Sequence, residues 1–343
     1  MQQPVILNEL RRMSARVGKN ILLTQAAGGN SSVKRGDVLW VKASGAWLAD
    51  AETEEIFLPI SLSGARAALA NGDERMPAAP GHPASQLRAS IETSLHALMP
   101  HPVVLHVHSV NTIAWSVQKH ARNELAGRLH GLAWHWLDYR HPGLPLAQAV
   151  SQSLRQRPAD ILILGNHGLV VGAPTCDAAE ELVLEVERRL SLPQRTGASA
   201  ADDALAHICE GTDYRPAPDP LHHNLATNPH NFSIATRGSL YPDHVIFLGP
   251  ALPALAEGED LVALTGRVAT GGRPPPVVAL VADKGTIIRA DANAGAQALL
   301  TCLALVVTRL PLDTTVEYLP PEKEQALLNW DAEHYRQQMT ARR

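Results

Sequence analysis

Two histidines separated by one residue, His106 and His108, sit in the apolar run VVLHVHS at residues 103–109. The run is rich in β-formers and reads as a buried strand. Residues two apart on a strand share a face, so the two imidazoles stand side by side, roughly 6.6 Å apart at Cα. Both can then reach one metal ion at about 2.0–2.1 Å per Zn–N bond. Upstream, in SIETSLHALMP, Glu92 and His96 are four apart. On a helix that spacing places them on one face. Pro100 and Pro102 end the helix, because proline lacks an amide donor and clashes with the preceding turn. An H-x-H pair alone is equally a feature of exposed strands. Inside an apolar strand, however, buried polar groups need partners.

A third ligand candidate lies in ADILILGNHGLVVGA, residues 159–173. Two apolar strands flank Gly165-Asn166-His167-Gly168, and a histidine between glycines at a tight connection can approach a ligand closely. Three histidines with an open position match a catalytic zinc site rather than a structural one. Two small-residue turns carry a different chemistry. Gly28 and Gly29 precede Asn30, Ser31 and Ser32, and Ser44-Gly45 follows the strand VLWVK. A loop of this kind between two strands presents amides and hydroxyls to an anionic ligand. The same residues also make plain β-turns.

The elements that must position these groups follow from periodicity. Helices are expected over 5–18, 61–71, 146–156 and 175–191, the last with Ala178, Leu182, Val186 and Leu190 as its apolar stripe. VNTIAWSV continues the central stretch as a helix. An exposed connection is expected over 72–88, with Pro77, Pro80, Gly81 and Pro83. Trp134, Trp136 and Tyr139 form an aromatic cluster expected to be core or a subunit contact. A polar, Pro-rich region over 191–230 marks a boundary, dividing the chain into 1–215 and 216–343. There His222 and His223 are adjacent and are read as non-ligands. The last third has its own α/β pattern: a strand over 244–249, a hairpin over 277–290 around Asp283-Lys284-Gly285, a buried helix over 293–308 and a polar helix over 320–339. Tyr241 is expected as a substrate contact.

The 343 residues are 45% hydrophobic and 19% charged with net charge -4, an ordinary globular composition without a basic footprint for nucleic acid. No apolar run approaches the length of a membrane span, and the first residues lack a signal-peptide core. Three scattered cysteines match neither a disulfide framework nor a zinc ribbon. Reduced thiols and a cytoplasmic location are expected.

With Gly29-Asn30, Ser44-Gly45, Glu92, His106, His108 and His167 in this order, residues 5–190 resemble the class II aldolase/adducin family. This group includes fuculose- and rhamnulose-phosphate aldolases, ribulose-phosphate 4-epimerases and methylthioribulose-phosphate dehydratases. SIETSLHALMP and LWVKASG look closest to the aldolase part of rhamnulose-phosphate aldolase/dehydrogenase proteins, and the last third resembles the end of that part. No G-x-G-x-x-G follows a strand, so the dehydrogenase part is expected to be absent. The resemblance implies a three-layer α/β/α sandwich around a largely antiparallel sheet, with a C-terminal α/β extension. It implies that His106, His108 and His167 bind a divalent metal, zinc first, with manganese, cobalt or iron as alternatives. Glu92 would contact the resting metal and then act as acid/base. Gly29, Asn30, Ser44, Gly45 and Ser90 would bind the substrate's phosphate or another oxygen-rich end. Two positions depart from the pattern. The family's Thr-Pro-Ser/Thr-Gly turn is Lys42-Ala43-Ser44-Gly45 here, and its paired serines are Ser90 and Ile91.

The implied activity is retro-aldol cleavage of a ketose-1-phosphate or related sugar or hydroxy-keto acid, in which a metal ion stabilises the enediolate as a Lewis acid and a carboxylate moves the proton. The same equipment serves epimerisation, dehydration or decarboxylation of a sugar-acid phosphate. A non-catalytic, adducin-like binding module is the reading from another class, and loss of the histidines would be its mark. The expected partner is a small sugar or sugar-phosphate substrate, with neither nucleic acid nor membrane, in a homo-oligomer that the family makes tetrameric.

Overall fold

Alternating runs of β-branched and aliphatic residues produce the central layer. The computed structural model describes residues 5–82, 85–269 and 274–341; Pro83 of the expected connection lies outside them. Two compact units form. The first holds the described residues up to Ser116, His120–Ser191 and those from Asp331. The second holds Val117–Lys119 and Leu192–Trp330.

In the first unit, α1 (Val5–Lys19) leads to β1 (Asn30–Arg35), β2 (Val38–Lys42), β3 (Phe57–Ser61) and α2 (Leu62–Ala70). Then come α3 (Thr93–Leu98), β4 (Val103–Val107), α4 (Val110–Ser116), α5 (Ala121–Arg128), β5 (Trp134–Leu137) and α6 (Leu144–Gln156). The strands β6 (Ile161–Leu164) and β7 (Gly168–Ala173) and the helix α7 (Cys176–Leu190) follow. The sheet order is β3-β2-β1-β4-β7-β6-β5. Every pair is antiparallel except β5 with β6. Leu95 of α3, Met99 just after it, Leu146 and Val150 of α6, and Val104, Leu162, Leu164 and Val170 of the sheet belong to one buried cluster. Helices α1, α4 and α7 pack with one another and with β1, β4 and β7. This is the expected α/β/α arrangement. β4 is buried along its whole length, which explains why every residue in it but His106 is apolar.

Register matters more than outline. Asn30 pairs with His106, His106 with Val170, and Leu164 with Gly168 across the β6–β7 turn. The start of β1, the end of β4 and that turn therefore meet at one end of the sheet. Lys34 secures the chain just before β4. Its ammonium donates to the carbonyls of Met99 and His101, both at 2.7 Å, closing the end of α3 where Pro100 stops it.

The second unit contains α8 (Asp202–Cys209), β8 (Tyr214–Pro216), α9 (Pro220–Thr227), α10 (Pro229–Arg237), α11 (Pro242–Leu248) and α12 (Leu261–Val268). The hairpin β9 (Val278–Val281) and β10 (Gly285–Arg289), α13 (Ala294–Val307) and α14 (Pro321–Leu328) complete it. β8, β10 and β9 form an antiparallel sheet. Finally α15 (Asp331–Ala341) returns to the first unit.

Three sequence expectations need correction. Residues 244–249 are not a strand but most of α11. Pro242 starts that helix, and its seven residues are all buried, so no polar face marks the helical period. The polar helix over 320–339 is broken between α14 and α15. On α7 the buried stripe is Cys176, Ala179, Val183, Val186 and Leu190, so Ala178 and Leu182 lie off it.

Candidate metal centre

The chain ends four donors at one place. His106 projects from β4 and His108 follows the strand's last residue. His167 sits in the turn Gly165-Asn166-His167-Gly168, where Asn166 takes φ +51°, a conformation asparagine tolerates. A Cβ on Gly168 would lie 2.5 Å from the Val107 carbonyl, so only glycine lets this turn close on β4. Glu92 is the residue before α3, with its carboxylate turned toward the histidines.

All four are buried, and one donor atom from each lies within 4.8 Å of the others. Glu92 Oε2 is 3.2 Å from His106 Nε2, and Oε1 is 3.3 Å from His167 Nε2. His106 and His108 approach to 3.2 Å through their Nε2 atoms. Nδ1–H of His106 donates to the Leu169 carbonyl at 3.0 Å, which leaves the Nε2 lone pair facing the cluster. Ligands bonded at about 2.0–2.1 Å to a tetrahedral ion stand about 3.3 Å apart, and these separations match. Glu92 Oε1 also has no hydrogen-bond donor despite burial. Burial alone would raise the Glu92 carboxyl, but His106 and His167, followed by His108, hold it well below the usual carboxylate range. The donor set, three imidazoles and one carboxylate, suits a divalent ion.

The residues assigned to substrate binding lie in the same region. Gly29 takes φ +65°, and a Cβ there would meet the His106 carbonyl at 2.8 Å. The Gly28-Gly29 turn precedes β1 rather than linking two strands, so Asn30, Ser31 and Ser32 are strand residues. Asn30 Nδ2 donates to Glu92 Oε2 at 3.0 Å and to Ser90 Oγ at 3.1 Å. The Ser44 amide donates to the Arg88 carbonyl at 2.9 Å, and the Ser90 amide to the Lys42 carbonyl at 3.1 Å, so Ser44 and Ser90 flank the antiparallel Ala43–Ala89 bridge. Gly45 faces Met339 of α15.

Sequence reasoning misses several contributors. His96 stands out in the sequence only by its spacing, yet it bonds both Asn30 and Ser32. Lys42 is 2% exposed and ties two turns together; a lysine in an apolar strand is the available signal. Arg88, beside the Ser44 segment, stacks on Tyr335 and pairs with Asp331, both of α15. No local pattern announces that return. Tyr241 is not at a surface. It is 2% exposed inside the second unit. His222 and His223 lie on α9 and bond Thr301 and the Thr286 amide. Trp134 and Trp136 are half-buried on the edge strand β5 rather than in the core. The three cysteines are free and buried. No helix among the described residues is long and apolar enough to cross a membrane.

Residues 9–192 match the family described as Class II Aldolase and Adducin N-terminal domain. An uncharacterized oxidoreductase of Bacillus subtilis (strain 168), YuxG, is 27% identical over 235 residues, covering 64% of this chain. The match spans only 33% of that protein's length. The N-terminal class II aldolase domain of a conserved protein from Thermoplasma acidophilum is 25% identical, covering 55% of this chain and 94% of that one at a TM-score of 0.47. The L-fuculose-1-phosphate aldolase of Thermus thermophilus is 19% identical, covering 54% of this chain and 90% of that one at a TM-score of 0.39.

Proposed function

The chain belongs to the class II aldolase and adducin N-terminal domain family, and from that premise we propose that it is a divalent-metal-dependent carbon–carbon lyase. The observation that carries this reading is the buried cluster of Glu92, His106, His108 and His167. An adducin-like module has no use for four converging buried donors, and burying them without a cation is costly. The substrate class is a ketose-1-phosphate or a related hydroxy-keto acid, and zinc is the ion that three imidazoles and a carboxylate suit best.

The three histidines would hold the ion through Nε2 of His106 and His167 and a ring nitrogen of His108. When bound, a divalent ion supplies Lewis acidity that stabilises negative charge developing on a carbonyl oxygen. Glu92 handles the proton. In the cleavage direction Glu92 takes the proton of the hydroxyl beside the scissile bond, the aldehyde departs, and the bonding pair passes into the enediolate. Glu92 then returns a proton to the carbon left behind. In the reverse direction the Glu92 carboxylate takes that proton from carbon. Gly29, Ser44, Gly45 and Ser90 bind the substrate's anionic end through amides and hydroxyls.

Proton NMR of zinc-loaded protein in D₂O tests this. Loss of an α-proton from dihydroxyacetone phosphate is the expected result. Exchange into pyruvate alone would move the substrate to hydroxy-oxo acids. No exchange into either, with zinc bound, would overturn the lyase reading in favour of epimerisation, dehydration or decarboxylation.

A further inference from the structure

We propose that His96 is a positioning residue: it donates from Nε2 to Asn30 Oδ1 and so fixes the amide orientation in which Asn30 grips the Glu92 carboxylate. Asn30 then orients the acid/base. The rate effects rest on the lyase reading; the hydrogen-bond order does not.

The order follows from donor and acceptor chemistry. An ionised carboxylate only accepts, so the Asn30 atom 3.0 Å from Glu92 Oε2 is the Nδ2 amine. The same amine reaches Ser90 Oγ at 3.1 Å, which uses both of its hydrogens. Oδ1 therefore faces His96 Nε2, and that nitrogen carries the proton. A neutral imidazole has one N–H, so Nδ1 is bare and accepts from Ser32 Oγ at 2.7 Å. His96 is fully buried. Its ring partners, Asn30 and Ser32, are uncharged, so burial keeps the ring neutral. A flipped Asn30 would turn Oδ1 toward the carboxylate. The chain Ser32–His96–Asn30–Glu92 thus has one consistent direction. It is built on two adjacent elements: β1 carries Ser32 and Asn30, and α3 with its first flanking residue carries His96 and Glu92.

Nitrogen-15 NMR of histidine-labelled, zinc-loaded protein reads the tautomer directly, with His96→Gln identifying the signal. An Nε2–H tautomer at His96 is expected; an Nδ1–H tautomer overturns the proposal whatever reaction the protein performs. Rates of α-proton exchange into dihydroxyacetone phosphate give the second readout. His96→Leu should keep one zinc per chain and an unchanged KM but lose about 10–100-fold in maximal rate. His96→Gln restores an N–H donor and should recover most of it. Asn30→Ala should lower the maximal rate at constant KM. A raised KM with the rate preserved would make Asn30 a substrate ligand and overturn the proposal. Should native protein exchange nothing, the lyase reading falls while the tautomer still decides this one.

Discussion

Replacing Glu92 by glutamine removes one charge and almost no volume, so it isolates proton transfer from packing. In the native site Oε2 accepts from Asn30 at 3.0 Å, and Oε1 lies 3.3 Å from His167 Nε2. Glutamine keeps one oxygen for Asn30. Its NH₂ then faces His167 and cannot take a proton from carbon. Three imidazoles remain, so the variant should still hold one ion per chain at saturating zinc. Loss of a general base costs about 10²–10⁴ in rate, or roughly 3–5 kcal/mol of barrier. The assay is α-proton exchange into dihydroxyacetone phosphate in D₂O, with zinc measured on the same sample. Retained zinc with exchange reduced through that range supports the assignment. A zinc-loaded variant exchanging within about tenfold of the native rate, short of what general-base loss produces, refutes it.

Chelation should destabilise the native protein: an ion at a hundredfold excess over its Kd contributes about 2.7 kcal/mol, and each kcal/mol moves Tm by about 2–4 °C in a unit of this size. His106→Ala should lose both the zinc and this metal-dependent shift, and calorimetry with and without zinc checks both. Gly168→Ala drives a Cβ to 2.5 Å from the Val107 carbonyl, between His106 and His108; titration calorimetry should show weakened zinc binding, and urea unfolding a loss of about 1–3 kcal/mol. Lys34 gives a pH prediction, since burial, with a smaller contribution from Arg66, lowers its ammonium to about 7. Between about pH 7 and 10.4 the unfolded chain binds the extra proton, so stability should rise with pH by up to about 1.4 kcal/mol per unit. Urea unfolding of native protein and Lys34→Met at pH 7 and 9 should show that gain only with the lysine.

What the sequence reveals about the centre depends on how local each signal is. Two histidines at strand spacing in an apolar run, and a third between glycines, announce themselves within a few residues, and the structure brings them together. The helical spacing of Glu92 and His96 is equally visible, and both side chains meet Asn30. What cannot be read is register. Nothing within β1 says that Asn30 lies opposite His106, and that pairing brings its side-chain amide to Glu92. Helix α11 reads as a strand because burial on every side erases the polar face that distinguishes 3.6 from 2.0 periodicity. The return of α15 to the first unit is a tertiary choice: its contacts, Tyr335 with Arg88 and Met339 with Gly45, span more than two hundred residues of sequence.

The Lys42-Ala43 departure from the family's Thr-Pro pair has a physical counterpart in the fold. Lys42 Nζ donates to the Ala27 and Ala46 carbonyls, both at 2.8 Å. Ala27 precedes the Gly28-Gly29 turn, and Ala46 follows Ser44-Gly45. A buried ammonium is costly unless its donors are satisfied, so both turns must hold their carbonyls on the lysine for the fold to tolerate the charge. The lysine thereby ties the two turns to one point. A threonine hydroxyl would offer one directional bond to an anion; a buried charge acts through space and is screened little by water. On the proposed reading, this chain attracts the anionic end of its substrate by that field and fixes it with the amides of Gly29 and Gly45 and the hydroxyls of Ser44 and Ser90. On that reading a carboxylate should bind as readily as a phosphate, because point-charge attraction selects for sign rather than for the tetrahedral arrangement of oxygens.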